Sequence, residues 1–267
     1  MFKPLLVALS VVTGDKNAEP KAPEHKPANA NLATVALPKA GETTRVGGGD
    51  AVVTMRGEGE TTTFSADGVL TIDTPLPVGY PDPTPPGAID LKRYPSVRRA
   101  AVSGEVQNLS RGGSEGFWPL FRHIQRRDIA MTSPVEMEYH KSDAGNAEAG
   151  ADKDAKETWT MAFLYRRAEQ GDAGQDAADQ RVTVTDSPEM LVISVGMKGD
   201  YSRTLVEEGK KQLDVWLSAQ TRFEKAGEAR ALYYHGPTFR PWRKWAEVQY
   251  PVREVAAPIV AREETAR

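Results

Sequence analysis

The chain has 267 residues, 39% hydrophobic and 27% charged, which suffices for one modest core and leaves a large polar remainder. Its 34 basic and 37 acidic residues give a net charge of -3, so no global positive field favours a nucleic-acid partner. Cysteine is absent, which excludes disulfides, thiol catalysis and thiolate ligation of any metal.

Residues 1–14 open with Lys3 and the short apolar run Pro4 to Val12, the texture of an export signal, but no small-x-small cleavage site follows. A periplasmic or exported protein and a cytoplasmic one with a frayed tail fit equally, and the run is too short for a transmembrane span. Residues 15–87 read as a linker and irregular region. Pro20, Pro23, Pro27 and Pro38 interrupt any helix early on, and 41–74 hold only short strand-like runs at 51–55 and 69–72, a loose hairpin at most. Prolines at 75, 77, 81, 83, 85 and 86 make the approach to Gly87 extended. The Gly-rich stretch 46–52 lacks the Lys-Ser/Thr of a phosphate loop.

One folded domain is expected over 88–253, followed by a tail at 254–267. Its first strand lies within 89–106. Phe117, Leu120, Phe121 and Ile124 at i, i+3, i+4 and i+7 predict a helix over about 114–127, with Arg122, Arg126 and Arg127 on its polar side and C-terminal end. Strands at 131–139 and 158–165 should pair as a hairpin, and the polar inserts 140–156 and 168–180 read as solvated loops. Strands at 182–185 and 190–197, a helix over 204–221 capped by Thr204 with Glu207, and strands at 231–234 and 245–252 repeat the plan.

Three segments resemble the SOUL haem-binding family. RYPSVRRAAVSGEV (93–106) is similar to its opening strand. EGFWPLFRHIQRRDIAMTSPVEM (115–137) is similar to its first helix and its Met-Thr-x-Pro-Val strand entry, filled by Met131, Thr132, Pro134 and Val135. ALYYHGPTFRPWRKWAEVQYPV (231–252) resembles its closing hairpin. TWTMAFLY and the 181–202 segment also follow the family, while Gly196-Met197 and the 168–180 insert depart from it. The resemblance implies an α+β fold: a distorted antiparallel β-barrel of two tandem βαββ-like halves flanked by two helices. It also implies haem or another tetrapyrrole in an apolar depression beside the first helix, with no invariant axial ligand.

A tetrapyrrole is an apolar disc with two carboxylates on one edge, so its site needs an apolar slot and nearby cations. Phe117, Trp118, Phe121, Ile124 and Met131 offer the first, and Arg122, Arg126 and Arg127 the second. The iron ligand would come from His25, His123, His140 or His235, and His123, on the flank of the first helix, is the candidate by location. No histidine pair has zinc spacing, and no G-x-S-x-G elbow is present. The leading reading is a non-enzymatic haem carrier, buffer or sensor. The alternatives are an effector-type module for other apolar small molecules, or a hydrolase in the same groove with Glu247 as acid or base.

Overall fold

The computed structural model describes residues 35–105, 114–140 and 157–255. The export-type segment, the linker up to residue 34, most of the first insert and most of the C-terminal tail lie outside the described residues. Four strands come first: β1 (Thr43–Gly48), β2 (Thr54–Arg56), β3 (Thr63–Ala66) and β4 (Leu70–Ile72). The duplicated part follows with β5 (Ala88–Tyr94), β6 (Val97–Glu105), α1 (Ser114–Arg126), β7 (Val135–His140), β8 (Thr158–Leu164) and β9 (Gly174–Gln175). Its second half is β10 (Thr183–Ser187), β11 (Met190–Lys198), α2 (Arg203–Ser218), β12 (Phe223–Lys225), β13 (Arg230–Tyr233) and β14 (Trp245–Glu254).

The fold is α+β, with one large antiparallel sheet in the order β1-β5-β11-β14-β13-β7-β8-β6-β10-β9, β12 pairing with β14. β2, β3 and β4 form a separate small sheet. The middle of the large order is palindromic. β6, β8 and β7 of the first half mirror β11, β14 and β13 of the second, and β7 joins β13 at the centre, with Ala231 opposite Met137. The expected 131–139/158–165 hairpin is present as β7 and β8, its first strand starting at Val135, after Pro134.

Each half also lends a strand to the other. β5 pairs with β11 and β10 with β6. Tyr94 faces Met190 and Val97 faces Ser187, so the register runs without a shift across Pro95-Ser96 and Pro188-Glu189. Chain 89–101 and chain 183–195 thus form one long ladder, in which prolines interrupt the donors without moving the register.

Alternation along the strands separates two chemistries. One face carries Leu91, Ile193, Val195, Val248, Ala231, Met161 and Phe163, which bury Leu120 and Ile124 of α1 and Leu205, Val206 and Leu213 of α2. Each such side chain contributes about 1.5–3 kcal/mol relative to exposure. Glycines set the helix-sheet spacing: a Cβ at Gly116 would stand 2.8 Å from Trp159, and one at Gly209 2.6 Å from Val248. The cap of α2 is Ser202, whose hydroxyl accepts from the Leu205 amide at 3.2 Å, so the expected Thr204/Glu207 box is displaced by two residues.

The opposite face holds Tyr94, Val192, Leu232, Tyr234 and Trp245, and against it pack Phe64, Leu70, Ile72 and Leu76. Residues 41–87 are therefore more ordered than their glycines, threonines and prolines suggested. β1 is an edge strand of the main sheet, and the small sheet and proline-rich strap lie over the face away from the helices.

Candidate functional site

α1 presents an aromatic cluster. Phe117 and Phe121, one turn apart, stack at 5.6 Å between centroids, and Trp118 meets them edge-on at 5.5 and 5.9 Å. Phe117 also meets buried Phe163 at 5.3 Å, which fixes the cluster to the sheet. Phe117 and Phe121 are half-buried, while Trp118 is 53% exposed. Met131 is half-buried in the turn after the helix, and Arg122 is exposed. Ile124, at 4% exposure, belongs to the core beneath this face.

His123 lies inside, fully buried rather than on the flank. Its Nδ1 is bonded to Asp176 and its Nε2 lies 2.6 Å from the Tyr165 hydroxyl. Burial lowers the imidazole pKa from 6.5 despite the carboxylate, and burial raises the Tyr165 phenol to about 12. The consistent arrangement is a neutral ring donating from Nδ1 to an ionised Asp176 and accepting from Tyr165 at Nε2. Both nitrogens are spent, so His123 has no lone pair to offer iron without breaking one of these bonds.

Asp176 comes from the 168–180 insert, which is therefore not wholly a solvated loop. Its carboxylate is 3% exposed and accepts from the Ala178 and Asp179 amides at 2.7 and 3.1 Å. Burial alone would raise its pKa, but these bonds and His123 outweigh it and hold the group well below the usual range. Arg126 and Arg127 approach it at 3.4 and 3.6 Å while keeping 38% and 37% of their side chains exposed. No signal in the insert's Ala-, Gly- and Asp-rich composition marks Asp176 as buried.

Of the other histidines, His140 ends β7 and contacts Thr160 at 3.0 Å, His235 contacts the Thr71 carbonyl at 2.9 Å, and His25 lies outside the described residues. A depression near α2 is ringed by Tyr139, His140, Glu157, Arg203, Glu207 and Lys210, whose charges suit an apolar disc poorly. Among the described residues no group of three or more His, Asp or Glu is placed to hold a metal ion.

The face under the strap also carries a second, polar cluster. Glu247 is completely buried and receives Lys92 Nζ at 2.8 and 3.0 Å, the Tyr234 and Ser194 hydroxyls at 2.5 Å each, the Gln249 amide at 2.8 Å and the Thr84 amide at 2.8 Å. Lys92 also donates to the Asp82 carbonyl at 2.7 Å, and Trp245 Nε1 to the Thr84 carbonyl at 2.7 Å. Burial would raise the Glu247 pKa, but the Lys92 charge and the donors around it hold it below the ordinary 4.5. A carboxylate with its lone pairs filled and no route to water is an anchor, and this removes the acid or base on which the hydrolase reading rested.

Two interlocked ββαβββ halves, each with one helix on the same face of a shared sheet, define a duplicated α+β class of protein. Within that class the profile of the SOUL heme-binding protein family matches residues 84–251, and the chain belongs to this family. A search of curated proteins gives no match.

Among solved structures, the EcmrR–DNA complex in EcmrR-RPo is similar at 15% identity and a TM-score of 0.47, covering 62% of this chain and 57% of that one. This chain therefore spans little more than half of that protein. A hydrolase from Listeria innocua is similar at 11% identity and a TM-score of 0.41, covering 64% and 94%. SAV2435 bound to tetraphenylphosphonium is similar at 15% identity and a TM-score of 0.37, covering 62% and 93%.

Proposed function

We propose that this chain is a haem or tetrapyrrole carrier, buffer or sensor that holds its ligand non-covalently against the aromatic face of α1. The observation that carries the reading is Trp118, more than half exposed beside the stacked Phe117-Phe121 pair on a helix whose other apolar residues are buried. Such a surface suits a flat apolar ring, and Met131 extends it. Arg122, with the partly exposed Arg126 and Arg127, supplies guanidinium groups for the carboxylates. Haem, when bound, would supply the iron chemistry, and the chain's residues would hold the ring by contact rather than through His123.

That the sheet curls into a distorted barrel is supported by connectivity. β5 and β6 are six strands apart in the order yet separated by two residues, as are β10 and β11. Flat, six strand spacings would span roughly 29 Å, while three Cα–Cα steps reach at most about 11 Å.

Hemin titration tests the proposal. A Soret shift with saturable tryptophan quenching is expected, retained in His123→Ala and weakened at least ~10-fold in Trp118→Ala. Absence of both signals sinks it. Saturable quenching by another apolar compound but not by hemin would instead favour the effector-type module.

A further inference from the structure

Besides Trp118, the large aromatic side chains left exposed among the described residues are Phe239 and Trp242, at 42% and 55%. They lie far along the chain from α1, in the connection between β13 and β14, where every residue from Gly236 to Arg243 is exposed. The segment is nonetheless fixed. Phe239 donates its amide to the Gly236 carbonyl at 3.3 Å, and Arg243 and Lys244 donate theirs to Arg240 and Pro241 at 2.8 and 3.1 Å, making two successive tight turns. The base is held by His235, which reaches the Thr71 carbonyl through Nε2 and accepts the Trp245 amide at Nδ1 at 3.1 Å. Its ring lies 4.9 Å from that of Phe239. Lys244 is tied down by Asp200 at 2.6 Å.

Within the turn itself the charge is positive. No Asp or Glu occurs from residue 229 to 246, although Asp200 pairs with Lys244 and Asp73 lies near His235 at the base, and among the described residues neither Arg240 nor Arg243 forms an ion pair. Arg240 lies over the Trp242 ring at 5.2 Å, so cation and indole occupy the same spot. A preformed turn that exposes two aromatics and two unpaired guanidinium groups matches a water–lipid boundary, where aromatic rings sit at headgroup depth and arginines meet phosphates. The chain as a whole is acidic, so attraction to an anionic surface has to come from such a local patch.

We propose that the Gly236–Arg243 turn docks the protein on an anionic lipid bilayer, with Phe239 and Trp242 entering the interface and Arg240 and Arg243 contacting lipid phosphates. The proposal is independent of the tetrapyrrole reading and needs no ligand at α1.

Full-length protein, free of hemin, is sedimented with vesicles of phosphatidylcholine alone or mixed with phosphatidylglycerol. Binding is expected only to the mixed vesicles. It should fall about fivefold for each arginine removed in Arg240→Gln and Arg243→Gln, diminish with added salt, and vanish in Phe239→Ser/Trp242→Ser. These positions are exposed, so unchanged melting of the variants establishes that they fold. No sedimentation, or equal sedimentation by wild type and the aromatic double variant, overturns the proposal. The second outcome would assign membrane affinity to another segment, such as the apolar run Pro4 to Val12. Binding to heparin as tight as to vesicles and insensitive to the aromatic pair would mark a general polyanion site and also overturn it.

Discussion

The two halves of the duplicated sheet differ in what lies over them. In the second half, β1 runs beside α2, so that the Trp216 indole donates to the Val46 carbonyl at 3.3 Å and fits over Gly47. The strap and small sheet meanwhile close the other face over Glu247. β5, β11 and β14 are buried along most of their length as a result. The first half is covered less. The strap reaches it at Ser133 and Arg166, where Ser133 donates its amide to the Pro75 carbonyl at 3.0 Å and Val78 donates to the Arg166 carbonyl at 2.9 Å, but β6 alternates between buried and partly exposed residues and α1 leaves Trp118 to solvent. The exposed aromatic face is thus a property of one half, while the tryptophan of the other helix, Trp216, is spent on packing.

This contrast can be broken from the sealed side first. Lys92→Met leaves the Glu247 carboxylate buried without its cation and should cost about 3–5 kcal/mol by denaturant unfolding; a loss below ~1 kcal/mol would show the network to be dispensable. Trp216→Ala should cost about 2–3 kcal/mol and leave hemin affinity unchanged. His123→Ala removes two buried hydrogen bonds and should cost about 2–3 kcal/mol, without altering the Soret spectrum.

The same histidine gives a pH dependence. Its folded pKa lies below 6.5, so the unfolded chain binds the extra proton. The stability it contributes is full above about pH 6.5 and declines as acid is added, by up to ~1.4 kcal/mol per pH unit. Melting at pH 7 and pH 5.5 should show that decline, and His123→Gln should have the flatter profile; equal slopes would rule His123 out as its source. The smallest stability effect sharpens the comparison from the open side. Trp118→Ala should change stability by no more than ~0.5 kcal/mol, since the indole covers little core, while weakening hemin binding.

Both helices, the β7-β8 hairpin and the repeat are legible in the sequence, because apolar periodicity reports which face meets the core. The α1 stripe places Leu120 and Ile124 on one apolar face, and both are buried; Ile124, expected to line the slot, belongs to the core instead. What local pattern cannot report is a cover contributed from elsewhere in the chain. Lys92, Ser194, Glu247 and Gln249 alternate with apolar residues as a solvated face would, and they are buried beneath residues 75–87, which look like a linker, and the small sheet, with Thr84 and Asp82 reaching Glu247 and Lys92 directly. His123 follows the same logic, with Asp176 reaching it from an insert 53 residues away. Trp118 could be marked as aromatic and near the helix stripe, but its exposure depends on what fails to cover it.

The ladder shared by the halves governs how the chain reaches this state. Val97 must find Ser187 and Tyr94 must find Met190, so neither half can complete its sheet before the other has been synthesised. Folding is consequently non-local, slower than helix content suggests, and cooperative across the whole duplicated unit. A fragment ending between the halves would carry β5 and β6 as unpaired edges, prone to join a second chain, and proteolysis in the 168–180 insert should leave two pieces that remain associated until both unfold.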